Sequence, residues 1–270
     1  MDFLKYWDLH EKPFENTGDP KFFYSSPGHK EALIRLVYVI RENKSGALLA
    51  GDYGTGKTTI ANELLVEIKK SEDYQSIFIK NPILTSKELL QEIAYQMKVK
   101  GSTSTRLKVR HAIEENLKEV TDGGRHTVII VDEAHLVSRN DVLEELRLLM
   151  NLQRRNKFLA TIIMMGQLEL KDLINAVPQF KQRFAMFYVL KHLNKEETRG
   201  YIPHRLKIAG VQRPVFNDIA CDMIYEASGG RPRQINNICD MSLLVGFMKE
   251  SDEVNEGIIR DVVKDLGEEI

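Results

Sequence analysis

Short apolar runs alternate with amphipathic stretches along the first 190 residues of the chain. The apolar runs are typical of buried strands, and they cover 46–50, 76–80, 127–131, 159–165 and 186–190. Helical periodicity fills intervals between them, as over 61–68, and also precedes the first strand over about 30–41. Strands that alternate with helices in this way predict an α/β fold, with a parallel sheet covered by helices on both faces.

From Asn194 onward the pattern changes to helices without strands. Asn194 and Glu197 have the spacing of a capping box, as do Thr85 and Glu88 before an earlier helix. The first 29 residues are rich in proline, glycine and aromatic residues, which favours irregular structure. Helices are predicted over about 194–210, 217–227, 232–248 and 255–266. We therefore predict three regions: an aromatic arm over 1–29, an α/β core over 30–192 and a small helical domain over 193–270.

A glycine-rich loop lies between the first predicted strand and the helix that follows it. The loop reads Gly51, Asp52, Tyr53, Gly54, Thr55, Gly56, Lys57, Thr58, Thr59. Its small residues let backbone N–H groups surround an anion, Lys57 reaches the terminal phosphates, and the Thr58 hydroxyl binds Mg²⁺. A chance match in a glycine-rich turn is the alternative, which the flanking strand and helix disfavour. These nine residues therefore predict a nucleotide site, with ATP and Mg²⁺ as cofactors.

Two adjacent carboxylates follow the third predicted strand. Asp132 is placed to hold Mg²⁺ through its water shell, and Glu133 to polarise the water that attacks the γ-phosphate. An acidic turn after a strand is common by itself, but the loop at 51–58 makes that interpretation the weaker one. The pair therefore predicts hydrolysis as well as binding. For His135 two interpretations stay open, a sensor or relay and a packed polar residue.

Composition places the chain among soluble globular proteins, with 43% hydrophobic and 29% charged residues in 270. The longest apolar runs are too short to span a bilayer, and the N-terminus does not have the pattern of a signal peptide, so we expect a cytoplasmic protein. Cys221 and Cys239 are predicted to be buried, reduced thiols. A net charge of −1 gives no general reason to expect nucleic acid as a partner.

Further motifs extend over most of the chain and identify a resemblance. They are Pro13–Phe14, Asp19–Ser25, His29 with Glu31–Leu33, Leu143–Leu149, Gly166–Leu170, Gln182–Arg183, Glu197–Thr198 with His204–Leu206, and Gly230–Asn236. With both nucleotide motifs, they make the chain resemble an AAA+ ATPase, and more narrowly the ExeA (general secretion pathway protein A) type. The resemblance implies a five-stranded P-loop core with a helical lid, ATP hydrolysis, and a homo-oligomer whose assembly depends on nucleotide. It covers the ATPase portion only, since membrane-bound members continue into a transmembrane helix and a peptidoglycan-binding region.

The resemblance also implies roles for three further residues. Gln167 matches the sensor 1 position near the attacking water, with a strand cap as the alternative. Arg233 matches the sensor 2 arginine of the lid, with Arg231 as a nearby competitor. Arg183 falls where such proteins place an arginine finger that completes a neighbour's site. For both Arg183 and Arg233 the alternative is a solvated or locally paired arginine. The aromatic residues of 22–24 are expected either near the adenine or as a hydrophobic staple on the core.

Two main functions are compatible with this resemblance. The first is a cytoplasmic assembly ATPase that acts on a protein partner of a secretion or envelope machine and is recruited through it to the membrane periphery. The alternative is an ATP-dependent DNA-binding regulator of transposition that resembles TnsC and MuB. Its phosphate contacts would come from Lys98, Lys100, Arg106, Lys108 and Arg110, with Lys87 and Arg139. A solvated helix face is the simpler interpretation of this basic stretch. A third function, a small-molecule kinase, is disfavoured by Glu133 and the lid pattern.

Overall fold

The computed structural model describes residues 2–99, 105–137 and 139–267. The chain divides into two compact units. The sheet unit consists of Lys30–Gly51 and Ile60–Leu190, and the helical unit consists of Met1–His29, Asp52–Thr59 and Lys191–Ile270. The helical unit therefore takes in both the predicted arm and most of the glycine-rich loop. The domain boundaries given above stay a prediction.

The sheet unit is built on five parallel strands. They are β1 (Gly46–Gly51), β2 (Tyr74–Ile79), β3 (His126–Val131), β6 (Ala160–Gly166) and β7 (Met186–Leu190), in the order β2-β3-β6-β1-β7. Each predicted strand is present within two residues of its predicted bounds, which confirms the fold class. A short hairpin, β4 (Gln153–Arg154) with β5 (Lys157–Phe158), was not predicted. Its turn residues Arg155 and Asn156 both have positive φ, as such two-residue turns require.

The strand order brings the candidate site residues to one edge of the sheet. All five strands run in the same direction, so their carboxyl ends lie at the same edge. β6 lies between β1 and β3, with Ala50 opposite Gly166 and Val131 opposite Met164. The glycine-rich loop leaves the end of β1, Asp132 follows β3, and Gln167 follows β6. Functional sites of open α/β sheets form at this edge.

Helices that flank the sheet strands in sequence contribute to a buried core. They are α2 (Pro27–Arg41), α3 (Lys57–Lys69), α4 (Ser86–Gln96), α5 (Arg106–Asp122), α6 (Asn140–Met150), α7 (Glu169–Asn175) and α8 (Pro178–Lys181). The predicted capping box begins α4, because Thr85 Oγ1 accepts from Glu88 N at 3.3 Å and Glu88 Oε2 accepts from Thr85 N at 2.8 Å. Strand residues such as Leu48, Ile129 and Ile162 are fully buried, as expected for a central parallel sheet.

The helical unit has its own hydrophobic core. Its helices are α1 (Phe3–Tyr6), α9 (Lys195–Ile208), α10 (Asp218–Ser228), α11 (Pro232–Met248) and α12 (Glu256–Asp265), and α9 to α12 agree with the predicted bounds within two residues. The N-terminal segment contributes Trp7, Phe14 and Phe22 to this core. Trp7 is fully buried, and its Nε1 donates to the Leu243 carbonyl at 3.0 Å. The arm is thus anchored in the helical unit by large buried aromatic side chains.

Both cysteines lie buried in the helical unit and are free. Burial raises the pKa of Cys221 to about 11 and raises the pKa of Cys239 well above its ordinary value. The thiols therefore stay protonated near neutral pH, which makes them poor nucleophiles and poor metal ligands. The prediction of buried, reduced thiols is confirmed. Within the described ranges, no helix has both the length and the apolar character needed to cross a membrane.

Candidate active site

The glycine-rich loop has backbone geometry suited to an anion. Gly54 and Gly56 have φ of 77° and 95°, a region that glycine enters without steric cost. A Cβ atom on Gly56 would lie 2.8 Å from His29 Nε2, so the close approach of this ring also requires glycine. α3 begins at Lys57, so the loop leads directly into a helix N-terminus. Free N–H groups and the helix dipole favour negative charge at such a position.

Lys57 is folded back over the loop. Its side chain is buried, and Nζ donates to the Asp52 carbonyl at 2.7 Å. Thr55 Oγ1 donates to the same carbonyl at 2.9 Å. The ammonium group thus places a positive charge at the loop, opposite in sign to that of a polyphosphate.

His29 fixes the loop from the other side. Its ring is buried, with Nε2 2.9 Å from the Thr55 carbonyl oxygen and Nδ1 2.8 Å from Ser26 Oγ. A carbonyl only accepts, so Nε2 carries the hydrogen and Nδ1 accepts from the serine hydroxyl. Burial lowers the pKa of His29, which keeps the ring neutral. Sequence reasoning noted His29 only as part of a motif, since nothing in its spacing indicates this contact.

Arg233 lies against the loop through Tyr53. Its guanidinium carbon is 5.1 Å from the centre of the Tyr53 ring, and Nη1 donates to the tyrosine hydroxyl. Contacts of this kind hold an arginine by cation–π attraction. Arg231 is instead the N-cap residue of α11 and is exposed. Of the two arginines considered for the lid role, Arg233 is therefore the one that contacts the loop, while the role itself stays a prediction.

A small pocket in the helical unit adjoins the loop and the aromatic segment. It is lined by residues that include Phe23, Tyr24, His29, Gly56, Thr59, Tyr201 and Pro232. Phe22 also lines the pocket but is mostly buried in the core beside it. Tyr24 packs against the same core, so the staple interpretation is supported for Phe22 and Tyr24, and the position near the adenine stays a prediction. The lining also includes the polar residues Thr17, Asp19 and Arg205, and the cavity volume is only about 40 Å³, so the structure does not assign this pocket to a nucleobase.

Arg205 connects the arm to this pocket, and the sequence analysis noted it only as part of the motif His204–Leu206. It is only 5% exposed. Its Nε donates to the Pro13 carbonyl at 2.5 Å and Nη2 to the Glu15 carbonyl at 3.0 Å, while its Cζ lies 4.8 Å from the Phe22 ring centre. A buried guanidinium that satisfies backbone carbonyls in this way fixes the path of the arm.

The sheet unit contains the two predicted carboxylates, Asp132 and Glu133. Asp132 is 3% exposed, and its Oδ1 accepts from Glu133 N at 2.9 Å. Glu133 has φ 50° and ψ 33°, a left-handed conformation that costs a residue with a side chain of the order of 1 kcal/mol. Its side chain is 38% exposed. The strained backbone therefore holds one carboxylate in the protein and turns the other toward solvent.

Glu133, Gln167 and His135 come together at the ends of β3 and β6. Gln167 N donates to His135 Nδ1 at 3.3 Å, and Glu133 Oε2 lies 3.4 Å from the same nitrogen. The structure thus places the predicted base and the predicted sensor 1 residue around one histidine. Sequence reasoning left the role of that histidine open.

Arg183 lies two residues after α8 and three before β7 in the sheet unit. Its carbonyl accepts a hydrogen bond from the Ser45 hydroxyl. Its Nε is buried and has no hydrogen-bond partner among the described residues. No contact within the described residues assigns Arg183 a role, and its function as an arginine finger stays a prediction.

The basic stretch considered for DNA is partly neutralised within the sheet unit. Arg106 Nε and Arg110 Nη1 lie 3.3 and 3.5 Å from the carboxylate of Glu145, whose side chain is 2% exposed. Arg139 forms an ion pair with Asp141 at 3.0 Å. Lys100 lies outside the described residues. Arginines that compensate a buried carboxylate are not free to neutralise phosphates, so Arg106 and Arg110 have a structural role and the DNA interpretation is not favoured.

Comparisons with known proteins agree with this arrangement. A family model described as AAA domain matches residues 40–174. General secretion pathway protein A of Aeromonas hydrophila is 34% identical over 261 residues, which is 95% of this chain and 47% of that protein. The chain thus spans about half the length of this curated relative.

Solved structures show the same fold at low sequence identity. The ORC2 protein of Aeropyrum pernix, in ADPNP and ADP complexes, has a TM-score of 0.72 at 14% identity, over 94% of this chain and 71% of that chain. Cdc6p of Pyrobaculum aerophilum has a TM-score of 0.72 at 18% identity, over 92% of this chain and 70% of that chain. The family model and the curated relative place the chain in the AAA+ ATPases, and within them it belongs to the general secretion pathway protein A type.

Proposed function

We propose that this protein hydrolyses ATP with Mg²⁺ and that its nucleotide state controls assembly of a homo-oligomer that serves a secretion or envelope machine. The 34% identity to General secretion pathway protein A over 95% of the chain carries this proposal. The loop geometry supports the ATP part of it, and the residues after β3 support the hydrolysis part.

The residues present fit ATP and Mg²⁺. The turned backbone of Gly54 and Gly56 and the ammonium of Lys57 suit a chain of phosphates. The Thr58 hydroxyl and the Asp132 carboxylate are hard oxygen donors of the kind Mg²⁺ prefers. When bound, the metal would neutralise charge on the β- and γ-phosphates. Glu133 would accept the proton of the attacking water, which agrees with its exposed side chain at the carboxyl edge of the sheet.

Assembly would come from residues that act between subunits. Arg183 would reach the nucleotide of a neighbouring copy, where a positive charge stabilises the transition state. Arg233, held over Tyr53, would report the presence of the γ-phosphate to the helical unit.

The partner would be a protein of secretion machinery, as the name of the curated relative suggests. The protein would then work in the cytoplasm and reach the membrane periphery through that partner. A transposition regulator on duplex DNA is not favoured, because Arg106 and Arg110 already compensate Glu145.

The deciding experiment compares ATP turnover and oligomer size for four variants. Lys57→Ala should abolish ATP binding, and Glu133→Gln should bind ATP normally, lose turnover and accumulate as the assembled form. Lys69→Ala and Glu72→Gln are matched controls, because both residues are exposed and lie outside the site. Normal turnover in Glu133→Gln would show that another residue is the base, and an unchanged size with ATP and ADP would refute the assembly part.

A further inference from the structure

Two groups, from the segments that follow two neighbouring strands, approach a single nitrogen atom of His135. His135 Nδ1 lies 3.3 Å from the Gln167 amide nitrogen and 3.4 Å from Glu133 Oε2. The His135 side chain is 11% exposed, so few water molecules reach the ring to substitute for either contact. Glu133 follows β3 and Gln167 follows β6, which are hydrogen-bonded neighbours in the sheet.

The two contacts require opposite hydrogen-bonding roles of this nitrogen, acceptor for one and donor for the other. A backbone N–H can only donate, so Nδ1 must present its lone pair to Gln167, and the ring hydrogen then lies on Nε2. A carboxylate can only accept, so a hydrogen bond to Glu133 would require the hydrogen on Nδ1. One nitrogen cannot serve both partners at the same time. The bond to Gln167 therefore leaves the Glu133 carboxylate without a donor from Nδ1.

The backbone at Gly166, the last residue of β6, lies very close to the His135 ring. A Cβ atom on Gly166 would lie 3.0 Å from His135 N and 3.1 Å from His135 Nδ1. Any side chain at position 166 would therefore push the histidine away from the Gln167 amide. The absence of a side chain there lets Nδ1 approach the residue that follows.

We infer that His135 is a positioning residue of the hydrolysis step. Its Nδ1 lone pair fixes the backbone of Gln167, and through it the segment that carries the sensor 1 side chain. In doing so it leaves the Glu133 carboxylate free to turn toward water, whereas an Nδ1–H would hold that carboxylate at the ring. This role rests on the proposed function, since it assumes that Glu133 is the base.

Three substitutions at this position separate positioning from packing. In His135→Asn the side-chain Oδ1 takes nearly the place of Nδ1 and can accept from Gln167 N. In His135→Gln the carbonyl lies one bond further out, and His135→Ala removes the acceptor altogether. We expect kcat to fall about tenfold in the Ala and Gln variants, because the loss of this one hydrogen bond lets the Gln167 segment shift from its catalytic position, and to recover largely in the Asn variant.

ATP affinity and melting temperature are measured alongside kcat. The expected result is an unchanged Kd for ATP in all three variants, because His135 does not belong to the phosphate loop. His126→Ala is the matched control: His126 is a buried histidine at the other end of β3, bonded to Thr161 Oγ1 at 2.8 Å. It should lower the melting temperature and leave kcat unchanged.

A wild-type kcat in His135→Ala, or a kcat in His135→Asn as low as in His135→Ala, would overturn the inference. If the alanine variant does not fold, the comparison of Asn with Gln decides, because only Asn places an acceptor beside Gln167 N. Glu133→Gln, assayed in parallel, separates the hypothesis that Glu133 is the base from the hypothesis that His135 positions Gln167. Full turnover in Glu133→Gln refutes the proposed base, whereas its loss combined with normal His135→Ala turnover refutes only the role of His135.

Discussion

Gly56→Ala is the substitution whose cost follows most directly from the structure. An alanine at φ 95° costs about 1–2 kcal/mol relative to glycine. The new Cβ would lie 2.8 Å from His29 Nε2, so the ring must move and stretch its bond to the Thr55 carbonyl. That bond contributes about 1 kcal/mol. The substitution therefore raises the free energy of the loop conformation by about 2–3 kcal/mol.

Most of this cost should appear in nucleotide affinity. The free loop can relieve the strain by changing its conformation, and ATP must then restore the original one in order to bind. At 1.4 kcal/mol per factor of ten, the Kd for ATP should rise about 30- to 150-fold. A titration with a fluorescent ATP analogue measures the affinity, and chemical denaturation measures the smaller loss in the free energy of unfolding.

Gly124→Ala is the matched control for backbone strain. Gly124 also has positive φ, 80°, but a Cβ there would meet nothing within 4 Å. Its substitution should lower the free energy of unfolding by about 1 kcal/mol and leave ATP affinity unchanged. The double variant His29→Ala with Gly56→Ala removes the collision, so its cost should be less than the sum of the single costs. ATP affinity within threefold of wild type in Gly56→Ala, or full additivity with His29→Ala, would refute the account of the loop.

Three further predictions concern other parts of the molecule. Arg183→Ala and Glu133→Gln should each lack turnover alone and regain part of it when mixed, because an Arg183→Ala subunit keeps its own base and receives arginine from its neighbour; no recovery on mixing would contradict action in trans. Burial lowers the pKa of His126 from 6.5 to about 4, so the unfolded chain binds more protons between these values, and the free energy of unfolding should fall by about 3 kcal/mol from pH 6.5 to pH 4. His126→Gln should flatten that dependence in pH-dependent denaturation. A labelled DNA duplex should show no ATP-dependent change in anisotropy at moderate salt, and tight binding with ATP would revive the transposition function.

The strands and the main helices were predictable because their signals are local. The periodic spacing of apolar residues, the capping boxes and the glycine-rich turns each depend on a few neighbouring residues. Thr85 and Glu88 before α4 are an example. The hairpin over 153–158 was missed because its strands are only two residues long. Its turn carries Arg155 and Asn156, which form no strong turn signal.

The contacts that shape the candidate site were not predictable in the same way. The bond from His29 to Thr55 spans 26 residues, and the bonds from Arg205 to the arm span about 190. Both residues belong to motifs that carry the resemblance, but nothing in the spacing of those motifs indicates which distant residue each one contacts. The loop motif indicates that phosphate binds, but only the fold shows which side chains hold the loop in shape.

The contacts of the loop suggest which part of the molecule would respond first to nucleotide. Lys57 donates to the Asp52 carbonyl, and the Asp52 carboxylate lies 2.9 Å from His192 Nε2, in the segment that leads to α9. When the oxygens of a triphosphate attract the Lys57 ammonium group, the hydrogen bond from Lys57 to the Asp52 carbonyl must break. The conformation of Asp52 then changes at the residue that contacts His192, while Tyr53 beside it holds Arg233. Loop residues 52–59 belong to the helical unit. Binding of a triphosphate would therefore change the conformation of that unit first, through the side chains that already contact the loop.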